Sequence, residues 1–174
     1  SAMYGDEIAQ GVTDDPHDMF TRRVRNSRGW FWVAEVDGKI EGMLAGQPTK
    51  YAPEEFVSWE HSTANGTFEG TYDETSVVMY VASLTVSKLG SKLDATDKLL
   101  AEGVKKAIRH GKKLAFFSAR MPMYHKYKDT MSAEEYYSAT TNLNGREVAL
   151  DPQLRMYEEL GMKRIRLVAD GFVA

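Results

Sequence analysis

The chain has 174 residues, 43% hydrophobic and 27% charged, with a formal net charge of -3, which suits one domain with a sizeable core and is short for two. So small a net charge gives no general reason to expect nucleic acid or an anionic membrane as partner, and any anion site must be local. There is no cysteine, which excludes a disulfide framework and a thiolate nucleophile, and no apolar run approaches the roughly 18 to 20 residues a bilayer span needs.

Ser1-Ala2 ahead of Met3 reads as the remnant of a cleaved tag, and a single domain over residues 3–174, in the cytoplasm, is expected. His17, His61, His110 and His125 are scattered without ligand spacing, so no metal site is expected. Asn65-Gly66-Thr67 reads as a turn.

In chain order, Asp14-Asp15-Pro16 supplies a cap and a first-turn proline, and Met19, Phe20 and Val24 have amphipathic spacing for a helix to about Asn26. Trp30 to Val36 and Lys39 to Gln47 flank Asp37-Gly38, a type I′ hairpin signal. Pro48 to Ser76 is a long polar connection with a short helical piece around Pro53 to Glu60. Val77 to Val86 is nearly all apolar, as in a strand covered on both faces. From Asp94 onward Leu99, Leu100, Gly103, Val104, Ala107 and Ile108 recur at helical spacing, closed by Gly111. Leu114 to Ala119 reads as a buried strand, Ser132 to Ala139 and Asp151 to Leu160 as helices, and Met162 to Val168 as a last strand. The order predicts an α/β or α+β domain, a mixed sheet with helices packed on it.

The segment Val86 to Thr96 joins the central strand to the crossover helix. It carries Lys88, Gly90, Ser91, Lys92, Asp94, Ala95 and Thr96. Amides at a helix start, with the helix dipole and nearby ammonium groups, suit a pyrophosphate. Ser91 to Asp94 equally fits a plain N-terminal capping box.

Several stretches together resemble one family: a hairpin with VAEVDGKIEGMLAG, a central SLTV, this loop and helix, and a late LRMYEELGMKRIRLV are similar in order to GNAT acetyltransferases. The closer likeness is to GNAT domains fused to carbon-nitrogen hydrolases, through SWE, TANGT, RMPMYHKY, MSAEEYY and DPQLRMYEELGM. It runs from about Trp30 to Val168 and implies a GNAT-like, mostly antiparallel sheet flanked by helices. About 27 residues precede Trp30, little room for the family's usual first strand and helix, so that strand could be missing. It also implies acetyl-CoA or another acyl-CoA as co-substrate, with no metal.

The family's loop pattern is Gln or Arg, two residues, Gly, one residue, then Gly or Ala. Counting back from Leu99-Leu100 aligns Ser91, Asp94 and Thr96 with it; an insertion shift would bring in Lys88 and Gly90. The resemblance further implies that the strand backbone at Leu84, Thr85 and Val86 receives the acyl carbonyl and that Tyr157 donates to the departing thiolate, a modest need because a thiol with a pKa of about 8.5 already leaves well. An alkyl amine is largely protonated at neutral pH, so some group must take its proton; Tyr124, His125, Glu74 and Tyr80 are candidates. Three of these assignments have a bland alternative: Tyr157 packed against Leu154, His125 on a basic surface run, Tyr124 ordering its own loop with Pro122. Arg120 could shape the substrate pocket. Trp30, Trp32, Tyr51, Phe56 and Trp59 could wall an acceptor pocket, though aromatic residues in strands are more often core.

The expected activity is acyl transfer from acyl-CoA to a small-molecule or peptide amine in a ternary complex. The alternatives are a GNAT-like binding module without turnover and a transferase fed by an acyl carrier protein. An open sheet edge would allow a homodimer.

Overall fold

Helix α1, Pro16–Asn26, leads into a hairpin of β1, Phe31–Val36, and β2, Lys39–Pro48. In the computed structural model, which describes residues 16–169 and Gly171, the hairpin turns through Asp37 and Gly38 with φ of 49° and 76°, the left-handed pair a type I′ turn requires. The Asp14-Asp15 cap, and the stretch where the family's first strand would fall, lie outside the described residues. The buried face of α1 is only partly the expected one. Met19 and Arg23, four residues apart, are fully buried, while Val24 is half exposed.

The described residues form two compact units, 16–118 with Gly171 and Ala119–Ala169. In the first, β3, Val78–Val86, pairs antiparallel with β2, and β4, Leu114–Phe117, pairs parallel with β3, giving the order β1-β2-β3-β4. The connection between β2 and β3 holds a 3-10 turn at Pro53–Glu55 and the short α2, Trp59–Thr63. Buried Gln47 laces it down, donating to the Ser62 carbonyl at 3.1 Å and to Thr71 Oγ1 at 2.8 Å. Asn65, Gly66 and Thr67 form a turn, as expected.

After β3 comes α3, Lys88–Lys92, and then α4, Ala95–Arg109. Helix α4 lies on the sheet with Leu99 buried, and Gly103 lets it approach closely: a Cβ there would stand 2.9 Å from Leu44 Cδ2. This is the crossover that a parallel strand pair needs. Trp30, Phe56 and Trp59 are core residues; Trp32 and Tyr51 are half-buried.

The second unit contains a 3-10 turn at Tyr124–Lys126, α5, Ala133–Ser138, a hairpin of β5, Thr140–Leu143, and β6, Arg146–Ala149, and α6, Pro152–Glu159. That hairpin was not expected, although Asn144-Gly145 at its turn, with φ of 53° and 79°, is the standard signal. The strand expected over Met162 to Val168 is not formed. Lys163, Arg164, Ile165 and Arg166 are all exposed, and Arg164 instead pairs with Glu158 at 2.7 Å and donates to the Tyr137 carbonyl. Among the described residues no helix is long and apolar enough to cross a membrane.

Candidate functional site

In the first unit, β3 changes partners partway along. Val78 to Val81 pair with Leu114 to Phe117, and no residue beyond Val81 pairs with β4. At the same place the register against β2 slips: Gly46 faces Val81 and Ala45 faces Ser83. Ala82 is therefore the extra residue of a β-bulge, which bends a strand and re-aims its backbone. From Ser83 to Val86 the edge of β3 turned away from β2 has no strand partner among the described residues. Leu84, Thr85 and Val86, expected to receive an acyl group, lie on this stretch.

Two side chains hold the bulge. Trp59 Nε1 donates to the Ala82 carbonyl at 2.9 Å. Arg23 donates to Ser83 Oγ at 3.2 Å and to the Gly66 carbonyl at 2.6 Å, with the rings of Phe20, Trp59 and Phe68 at 4.9, 5.5 and 5.8 Å. Its guanidinium has no carboxylate partner among the described residues, and burial pulls its pKa down to about 10. The carbonyl and the ring faces compensate part of the desolvation of this charge. Arginine is seldom fully buried, and nothing in the helical spacing marked Arg23.

The loop after β3 is more closed than its sequence suggests. Ser87 caps α3: its Oγ accepts from the Gly90 amide at 3.0 Å, its own amide donates to the Glu41 carbonyl at 2.8 Å, and its hydroxyl donates to Glu41 Oε2. The capping box expected at Ser91 is absent, because Ser91 lies inside α3 and Ser87 holds the capping role. Gly90 is buried against β2, where a Cβ would stand 2.5 Å from the Glu41 carbonyl oxygen and 2.7 Å from Val86 Cγ1. Its missing side chain thus serves helix-to-strand packing.

Asp94 heads α4 with φ 55° and ψ 32° and makes no side-chain cap. The first intrahelical bond runs from the Lys98 amide to the Asp94 carbonyl at 3.1 Å, so the amides of Ala95, Thr96 and Asp97 are those a helix start leaves without an intrahelical acceptor. Lys88, Ser91, Lys92 and Asp94 are exposed, Thr96 half-buried and Ala95 buried.

In the second unit Tyr157 is a half-buried residue of α6 whose hydroxyl accepts from Gln153 Nε2 at 3.2 Å. Tyr124 donates to the Met131 carbonyl at 3.2 Å and packs on Tyr136, ordering its own loop. His125 is exposed, and its Nδ1 donates to the Pro122 carbonyl at 2.7 Å, which in the neutral ring leaves Nε2 as the basic nitrogen. A buried hub not singled out for chemistry is Asp151. Its Oδ1 accepts from the Gln153 and Leu154 amides, and its Oδ2 from the Tyr136 hydroxyl at 3.1 Å. Burial, and the bond to Asp151, push the Tyr136 phenol up to about 12. The Asp-Pro dipeptide announced the cap; the phenol had no sequence signal. Among the described residues no group of three or more metal-ligating side chains comes together.

No protein-family model matches the chain, and no curated protein sequence does. Solved structures do match. The chain is similar to the loading GNATL domain of CurA from Lyngbya majuscula, with a TM-score of 0.69 and 18% identity over 88% of this chain and 72% of that one. It is also similar to the GphF GNAT-like decarboxylase in complex with isobutyryl-CoA, with a TM-score of 0.62 and 21% identity over 86% of this chain and 71% of that one. The mixed, mostly antiparallel sheet with its flanking helices is a GNAT-like fold.

Proposed function

We propose that this chain is an acyltransferase that takes an acyl group from acyl-CoA and passes it to an amine by direct attack. The observation that carries the reading is the parting of β3 from β4 at the Ala82 bulge, which among the described residues leaves strand backbone without a strand partner and able to receive an amide-bearing, extended ligand. In this reading the backbone of Leu84, Thr85 and Val86 binds the acyl and pantetheine portion. The first turn of α4, at Ala95 and Thr96, with Lys88, Ser91 and Lys92 nearby in sequence, receives the pyrophosphate. The family likeness assigns Tyr157 to the departing thiolate and His125 or Tyr124 to the amine proton. A similar neighbour is in complex with isobutyryl-CoA, which supports acyl-CoA as donor, acetyl-CoA being the simplest case.

Acetyl-CoA and CoA at millimolar concentration are expected to raise the melting temperature, since a ligand selective for the native state stabilises it. Thiol release with a panel of amines should fall at least about tenfold in Tyr157→Phe if the phenol assists departure. No thermal shift and no calorimetric heat would sink the reading.

One observation favours a second reading, a binding module without turnover: Gly90 is committed to packing, and an uncapped Asp94 stands where the family has glycine. It expects CoA binding with thiol release at background. A donor carried by an acyl carrier protein would lessen the need for a pyrophosphate loop, and side-by-side assays of acetyl-CoA and acetylated carrier protein decide that point. The sequence stretches shared with GNAT domains fused to carbon-nitrogen hydrolases suggest a module of that kind. Strand β1, an edge of the sheet among the described residues, is where a second copy would pair, which sedimentation would detect.

A further inference from the structure

One side-chain hydrogen bond joins β3 to the end of β4 where the two strands part. Tyr80 lies on β3 two residues before Ala82, wholly buried, with the rings of Phe56 and Phe116 at 5.6 and 5.0 Å. Its hydroxyl is 2.8 Å from Ser118 Oγ. Ser118 directly follows Phe117, the last β4 residue paired with β3, and is half-buried.

The direction of this bond follows from the inventory of partners. A buried hydroxyl left without an acceptor is costly, and among the described residues Ser118 Oγ is the only hydrogen-bond partner of the Tyr80 hydroxyl. The phenol therefore donates. Burial raises its pKa, and the charge of Glu60 adds to the effect, so Tyr80 stays neutral. Ser118 accepts from Tyr80, and its own hydrogen must point elsewhere, to no partner among the described residues. A serine that accepts a hydrogen bond from its neighbour has no base there to make it a nucleophile. What it offers is an O–H donor with restricted rotation, because the Tyr80 hydrogen takes one of the positions around its oxygen.

We propose that Ser118 is a catalytic hydrogen-bond donor to the acyl carbonyl, completing with the free backbone of β3 beyond Ala82 an oxyanion site, and that Tyr80 is the positioning residue that fixes the Ser118 hydroxyl. The proposal rests on the acyltransferase reading. As the amine nitrogen forms its bond to the carbonyl carbon, the carbonyl electron pair moves onto oxygen, where the Ser118 O–H and a β3 N–H hold it. Its return breaks the carbon-sulfur bond, the electron pair leaves on sulfur, and the surplus amine proton passes to the base of that reading. Ser118 keeps its proton throughout. A donor already aimed at the site of developing charge needs no reorganisation during the reaction.

The test uses the full chain and Ser118→Ala, Ser118→Thr, Tyr80→Phe and the double variant Tyr80→Phe/Ser118→Ala. Calorimetry with acetyl-CoA comes first. Isotope-edited infrared spectroscopy of bound acetyl-CoA carrying carbon-13 in its carbonyl then reads hydrogen bonding to that oxygen directly. The wild-type stretch is expected below its value in solution, to rise in Ser118→Ala, to rise part-way in Tyr80→Phe and to be restored in Ser118→Thr. Turnover should fall on the order of 100-fold in Ser118→Ala, the loss typical of one oxyanion donor, with KM nearly unchanged. The double variant should be no slower than Ser118→Ala, because Tyr80 acts only through Ser118. A carbonyl stretch unmoved by Ser118→Ala, or losses that multiply in the double variant, overturns the proposal while leaving the acyltransferase reading intact. If the wild type binds but does not turn over, the infrared result still decides. If it binds no acetyl-CoA, the calorimetry shows it, and both fall.

Discussion

Two aspartates, each at the start of a helix, are used in opposite ways. Asp151 enters α6 at φ -70°, 1% exposed, and gives both carboxylate oxygens to donors: the Gln153 and Leu154 amides on one side, the Tyr136 hydroxyl and, at 3.4 Å, the Met123 amide on the other. Asp94 enters α4 in the left-handed region, exposed, with no side-chain cap. A carboxylate with its lone pairs filled by buried donors is structural. One that leaves the helix's first amides uncapped marks an anion-binding position in geometry, yet brings a negative charge to it. The pyrophosphate loop is thus half suited to its proposed task, whereas the parted strands beside Ala82 show no such conflict.

The largest effect is expected at the structural aspartate. Asp151→Ala removes a cap, worth about 1 kcal/mol, and orphans the buried Tyr136 hydroxyl at a further cost of about 1–3 kcal/mol. Destabilisation of about 3 kcal/mol should appear as a melting temperature lower by roughly 6–12 °C, read by calorimetry. A neutral outcome would remove the contrast between the two aspartates. Gly90→Ala comes next. The added Cβ meets the Glu41 carbonyl oxygen and Val86 Cγ1, so overpacking of about 1–3 kcal/mol is expected. If Gly90 instead admits a phosphate, stability would be kept while CoA affinity is lost; measuring both separates the two roles.

What the sequence disclosed follows the range of the interactions involved. Asp37-Gly38 set the hairpin locally, and the apolar run through Tyr80 marked an interior strand. The bulge at Ala82 left no trace, because an inserted residue disturbs the period-2 pattern only where one face is polar, and both neighbours of Ala82 are apolar or small. Gly90 read as a phosphate-loop glycine because sequence cannot show the Glu41 carbonyl that occupies its Cβ position. Arg23 carried no local signal, since only tertiary placement reveals its buried bonds to Gly66 and Ser83. The Tyr80–Ser118 pair spans thirty-eight positions, beyond the reach of any local pattern.

The smallest effect is expected at Asp94, and it addresses the loop directly. Asp94→Gly places at φ 55° a residue that adopts this region without strain, a gain of up to about 1 kcal/mol partly offset by the greater freedom of glycine in the unfolded chain. Stability should therefore change little. The same change removes a negative charge beside the Ala95 and Thr96 amides; two charges about 4 Å apart in water repel by about 1 kcal/mol, so CoA should bind roughly fivefold more tightly. Asp94→Asn separates the two causes, because asparagine tolerates the left-handed region as aspartate does and carries no charge. If charge is the obstacle, Asn and Gly gain equally, and the gain shrinks as salt screens it. If close backbone approach is the obstacle, only Gly gains, and salt leaves that gain unchanged. Equal affinities for the wild type and both variants would mean that the pyrophosphate does not sit at the start of α4.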